Sequence, residues 1–308
     1  MKTLVLSMIS IAATVAAMTA CTSESDEVDN VIDAKVPIEL NAGVLEITSK
    51  AVVNQGDQFD AQVIASKTTG EYTAPLWNEN GAGNISVATN GEVTFSPAQY
   101  YPTDNTEIFM IGYSPRATAT NGIVAYTITG DNDIMVSNQI SGSRTNKAKA
   151  GKELQFKHLL TQLQIKVIAA DTDSKNAWGG IKSIEVVNAS TAVELNLQTG
   201  KLAEATTPAT QNVAVDKDFT TPLVLPNLAE SGTATPAGSV MVLPRDTKYQ
   251  LLIKTENNQT GITIDPSVVK TEASKAYEIT LTFKSANVEV TASAGKWETV
   301  EGGTGTVE

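Results

Sequence analysis

Tyr277, Ile279, Leu281 and Phe283 alternate along the chain with Glu278, Thr280, Thr282 and Lys284, and almost every other apolar segment keeps the same period of two. Val193, Leu195 and Leu197 alternate with Glu194 and Asn196, and Leu163, Ile165 and Val167 with Gln164 and Lys166. Successive side chains of a strand point to opposite faces, so this spacing collects each apolar set on one face of a sheet. Residues 107–113 and 123–128 are apolar on both faces and are expected to be central strands. Turn-forming clusters of Gly, Asn and Asp separate the runs at 78–84, 130–133, 197–200 and 256–261. There is no long amphipathic helix, and only 154–163 is expected to hold a helical turn. Many short strands joined by turns predict an all-β chain of packed sheets, as in sandwiches.

The N-terminus has a different pattern. Lys2 precedes an apolar stretch from Leu4 to Ala17, and small residues then lead to Cys21, the one cysteine in the chain. This is the form of a secretory signal, and the apolar run is too short and wrongly flanked for a stable membrane span. A cysteine at this place predicts a bacterial lipoprotein: cleavage before Cys21, a diacylglyceryl group on its thiol, and a mature chain tethered by acyl chains. Met18 stands where leucine is commoner in such signals. With Cys21 lipidated, no intrachain disulfide is available and stability rests on the core. Residues 22–30 are polar and acidic, the composition of a flexible tether.

The chain beyond residue 20 is long enough for two domains. The polar stretch 171–180 is the preferred boundary, with 141–151 as the other candidate. The resulting division is 1–20 signal peptide, 21–50 tether and first strand, 51–172 and 173–285 as two sandwiches, and 286–308 as a terminal strand. Net charge is −12, which disfavours nucleic acid as a partner, because phosphate binding needs basic patches.

Catalytic chemistry finds little support. His158 is the single histidine; any Ser-His-Asp triad would need it, and no nucleophile-elbow pattern lies nearby. A histidine packed at a strand end is the expected reading. Zinc sites of His and Cys lack ligands. Asp131 and Asp133, or Asp171 and Asp173, do not match the twelve-residue calcium loop and are expected to shape turns. Aromatic content of 5% is low for sugar clefts built on aromatic platforms. No Gly-rich phosphate loop is present. The expectation is a non-enzymatic protein without cofactor or metal.

Several segments in one order carry a resemblance. They are Val93-Thr-Phe-Ser-Pro-Ala-Gln-Tyr-Tyr-Pro102, Ile108-Phe-Met-Ile-Gly-Tyr-Ser-Pro115, Asp133-Ile-Met-Val136 and Leu154-Gln-Phe-Lys-His-Leu-Leu-Thr-Gln-Leu-Gln-Ile-Lys-Val167. Leu195-Asn-Leu-Gln-Thr-Gly-Lys-Leu202, Val242-Leu-Pro-Arg245 and Lys275-Ala-Tyr-Glu-Ile-Thr-Leu281 follow, with Trp297 near the C-terminus. Together with the lipoprotein start, the chain resembles the fimbrillin family of Bacteroidia-type bacteria, the lipoprotein-derived (type V) pilins.

The resemblance implies two transthyretin-like β-sandwich domains in tandem and a route of assembly. The precursor would travel as an outer-membrane lipoprotein to the cell surface. A surface protease would remove the N-terminal segment, and the groove left behind would take a C-terminal strand from another subunit. The removable strand falls on Val36, Ile38, Leu40, Val44 and Ile47, and cleavage between Lys50 and Ala51. The donor strand falls on Val288, Val290 and Ala292, with Trp297 as an anchoring side chain; 288–294 could equally be the last strand of its own domain. Relatives cut by an arginine-specific protease carry arginine where this chain has Lys50. The partners expected are other pilin subunits, a surface protease and the outer membrane. The alternative is a non-polymerising surface lipoprotein that binds glycans or acts as a pilus anchor or adhesin.

Overall fold

The computed structural model describes residues 35–45, 53–77, 82–148, 152–215, 219–265 and 270–295. Its first strands are β1 (Leu40–Val44), β2 (Phe59–Ser66), β3 (Asn84–Val87), β4 (Glu92–Phe95), β5 (Ile108–Ser114), β6 (Ala119–Thr120) and β7 (Ile123–Thr127). β8 (Met135–Gly142), β9 (Leu154–His158) and β10 (Thr161–Ala169) lead to helix α1 (Thr172–Trp178). Then come β11 (Ile181–Ser190), β12 (Ala192–Asn196), β13 (Lys201–Glu204), β14 (Thr210–Ala214) and helix α2 (Leu228–Ser231). The last strands are β15 (Thr235–Val242), β16 (Gln250–Thr255), β17 (Ile262–Ile264), β18 (Ala276–Phe283) and β19 (Val288–Gly295). The fold is all-β, as the alternation predicts.

The strands form a closed barrel in the order β1-β4-β3-β2-β5-β8-β9 and three four-stranded sheets, β15-β10-β18-β19, β14-β11-β16-β17 and β13-β12-β7-β6. Three apolar clusters hold these layers together. One fills the barrel with Leu40, Val63, Ile85, Met110 and Phe156. A second lies between the β10 and β11 sheets, with Leu163, Ile165, Val167, Ile184, Val186, Leu251 and Leu281. The third packs the β12 sheet on the outside of the barrel, joining Val124, Val193 and Leu195 to Ile64, Ile111 and Tyr113.

The parity of single strands explains how one barrel serves two cores. In β5, Ile108 and Met110 point into the barrel, while Ile111 and Tyr113 enter the outer cluster. This is why 107–113 reads as apolar on both faces. β5 is a central strand, between β2 and β8. Gly112 gives the ring of Phe156 room: a Cβ there would lie 2.6 Å from its Cζ. Phe156 is fully buried and meets Phe59 edge-on at 5.2 Å, so it cannot easily swing away. Gly112→Ala is expected to destabilise by about 1–3 kcal/mol through overpacking, read by denaturant unfolding. An unchanged midpoint would show that the ring relocates freely.

Residues 154–163 differ from expectation. They form β9 and the start of β10 rather than a helical turn. Neighbouring strands claim their backbone groups: β9 lies between β1 and β8, and β10 between β15 and β18. The helical turn comes instead at 172–178, inside the polar stretch. Asp171 caps it by accepting from the Ser174 backbone N–H at 2.7 Å, and Gly179, at φ +71°, ends it. Trp178 anchors the helix by donating from Nε1 to the Lys284 carbonyl at 2.7 Å.

The ladders run across the position 172/173. β10, before it, pairs with β15 and β18, both after it. β7, before it, pairs with β12, after it.

Candidate functional site

The N-terminal segment completes the barrel. β1 pairs antiparallel with β4, Leu40 opposite Val93, and parallel with β9, Val44 opposite Phe156. The backbone bonds extend beyond the strand: Ile38 N–H donates to Gln99 O at 2.9 Å, Tyr101 N–H to Val36 O at 3.0 Å, and Leu45 N–H to Phe156 O at 2.7 Å. Ile38, Leu40, Ala42 and Val44 alternate inward and are each at most 5% exposed. Val36 packs on the same core from its margin. Each fully buried aliphatic side chain contributes roughly 1.5–3 kcal/mol. This one segment therefore seals the apolar interior and satisfies the facing edges of β4 and β9.

At the other end, β19 pairs antiparallel with β18 over its whole length, from Phe283 opposite Val288 to Ala276 opposite Gly295. The turn is closed by Lys284 N–H donating to Asn287 O at 2.8 Å, and the Lys284 ammonium pairs with Glu289. Val288, Val290 and Ala292 rest half-buried on the sandwich core. β19 is an edge strand, with β18 as its one ladder partner among the described residues. The segment expected as a donor is thus paired within its own chain. Cys21, Ile47, Lys50, Ala51 and Trp297 lie outside the described residues.

The candidate catalytic groups are placed structurally. His158 ends β9 and is 2% exposed. Its Nδ1 meets Asp133 Oδ2 at 2.6 Å, and its backbone carbonyl accepts from Ser274 Oγ at 2.6 Å. The turn expected at 130–133 is built by side chains: Thr129 Oγ1 donates to Asp131 Oδ1, and the Asn132 amide donates to Thr127 O. Asp171, which caps α1, has its carboxyl held below the usual range by the bonds from Ser174. Among the described residues, no group of three His, Cys, Asp or Glu is placed to hold a metal ion.

The architecture defines a class: an all-β protein of packed sheets, its barrel completed by the N-terminal segment and its last strand at a sheet edge. A sequence profile described as fimbrillin-like matches residues 47–297. The chain belongs to the fimbrillin-like family, in agreement with the resemblance read from its segments. It is 26% identical over 304 residues to the Bacteroides uniformis protein named "Putative fimbrium subunit Fim1C", covering 92% of each chain. Among solved structures, it is similar to a "putative cell adhesion protein" from Bacteroides uniformis, with TM-score 0.60 and 20% identity over 86% of this chain and 98% of that one. A second, from Bacteroides ovatus and so described, gives TM-score 0.58 and 16% identity over 87% and 100%. These structures share the fold.

Proposed function

We propose that the chain is a structural, non-enzymatic pilus subunit that polymerises by strand exchange and supports adhesion. It reaches the outer membrane as a lipoprotein through Cys21, and a surface protease cuts between Lys50 and Ala51. The observation that carries this reading is the N-terminal segment: the barrel is complete only with it, and it lies before the expected cut. Its removal would leave an apolar trough between β4 and β9, with unpaired backbone groups on both sides, and such an edge recruits a strand from another chain. The trough accepts four inward side chains at alternate positions, filled here by Ile38, Leu40, Ala42 and Val44. Val288, Val290 and Ala292 offer the same apolar alternation over three positions, from an edge strand whose one ladder partner among the described residues is β18. In this mechanism region 286–308 leaves β18 and enters the trough of the next subunit, with Trp297 as its anchor. Adhesion is supported by the relatives, which are named for fimbriae and cell adhesion.

The test is the intact mass and N-terminus of protein taken from the surface of its native host, beside a Lys50→Ala variant. The expected wild type begins at Ala51 and runs in large assemblies, and the variant does neither. A chain that begins at lipidated Cys21 and stays monomeric would sink the polymer reading and make this an anchor or a glycan-binding lipoprotein.

A further inference from the structure

Three segments that carry the family resemblance, far apart in sequence, meet at one cavity. They are the end of β9, the start of β13 and the chain just after β15, and the cavity has a volume of about 540 Å³. We propose that it is a binding site for a small sugar bearing a carboxylate group, a uronic acid being the simplest example.

Charge is the first argument. Lys157, Lys201 and Arg245 line the cavity against one carboxylate, Glu204, in a chain whose net charge is −12. None of the three cations makes an ion pair among the described residues. A concave cluster of one sign on a surface of the other sign raises the local concentration of counter-charged ligands.

Preorganisation is the second. The Arg245 guanidinium stacks on Tyr249, 3.6 Å from the ring centroid, and one terminal nitrogen donates to the Lys248 carbonyl at 2.6 Å. Its backbone is fixed as well: Arg245 N–H donates to Thr271 Oγ1, and Thr271 N–H to Arg245 O, each at 3.0 Å. Arg245 Nε is buried and has no hydrogen-bond partner among the described residues. A rigid, partly desolvated guanidinium loses little freedom on binding a carboxylate and interacts with it more strongly than a free surface arginine.

The remaining groups select the ligand class. Glu204 is held in place by Ser190 Oγ, which donates to it. A fixed carboxylate beside the cations repels a second acidic group but accepts from hydroxyls. That disfavours an acidic peptide and favours one carboxylate on a polyhydroxylated frame. Leu202 and Pro244 supply an aliphatic wall for the C–H face of a ring. Tyr249 is covered by Arg245, so in this site the aliphatic wall takes the place of an aromatic platform.

None of the lining residues belongs to β1 or β19, and the test uses the purified full-length chain. Isothermal titration with sodium D-glucuronate is compared with D-glucose, its neutral counterpart, and with sodium cyclohexanecarboxylate, a ring with one carboxylate and no hydroxyls. Glucuronate is expected to bind at one site per chain, about tenfold or more tightly than either control, and more weakly as salt is raised. Lys157→Glu with Lys201→Glu is expected to weaken it about tenfold or more. Both side chains are exposed, so the unfolding temperature of that variant should be unchanged. Absence of glucuronate binding, equal binding of either control, or indifference to the double charge reversal would overturn the assignment.

Discussion

A chain lacking residues 35–45 is expected to unfold at a much lower temperature than the intact protein, or not to fold as a monomer. Ile38, Leu40 and Val44 are buried in the barrel, at roughly 1.5–3 kcal/mol each. Their loss, summed, is comparable to the whole stability of a typical domain, about 5–15 kcal/mol. Backbone pairing with β4 and β9 is lost in addition. A synthetic peptide of residues 35–45 should rescue the truncated chain, with a melting temperature that rises with peptide concentration. A peptide of residues 286–308 should do the same if the tail is the natural occupant of the trough. Leu40→Asp is the milder form of the experiment, placing an unpaired carboxylate where the side chain is 2% exposed. Equal melting curves for intact and truncated chains would show that the barrel closes without β1, and the driving force for strand exchange would be gone.

Asp133→Ala is expected to destabilise the fold by about 3–5 kcal/mol, the usual cost of breaking a buried pair by removing one member. The pair joins Asp133 to His158, with side chains 3% and 1% exposed. In a chain of this size that lowers the melting temperature by roughly 10 °C. The replacement of both residues by apolar ones should cost less than the single change, since no polar group is then stranded. A double-mutant cycle measures the coupling directly. The location adds consequence: His158 ends the barrel strand beside β1, and its carbonyl is held by Ser274, just before β18. Loss of the pair should therefore loosen the barrel and its tie to the β10 sheet together. A single change that costs less than 1 kcal/mol would mean that water reaches the site on substitution.

The terminal strands show what was legible in the residues. The inward alternation of Ile38, Leu40 and Val44 is visible without coordinates, because a sheet face needs every second residue apolar. The same alternation marks Val288, Val290 and Ala292 as strand. It does not say which strand they lie against; the pairing of β19 with β18 follows from a short turn at 284–287. His158 was legible as a packed histidine, whereas its partner Asp133, 25 residues earlier, was not. The cavity at Arg245 was illegible altogether. Its charges come from three elements that only the fold brings together, and each alone reads as a solvated surface residue.

The all-β class, the position of most strands, the face each presents to a core and the family can be read from the residues in order. All of these rest on local periodicity, turn residues and segment order. Strand partners, in contrast, are set by tertiary packing. β1 closes the barrel against β9 in parallel, β10 takes β18 in parallel, and β12, besides its sequence neighbour β13, pairs with the distant β7. A period of two specifies which side of a strand is apolar, yet many strands with the same period could pair with it. The choice among them is made by how whole sheets pack over shared cores, which no local window contains.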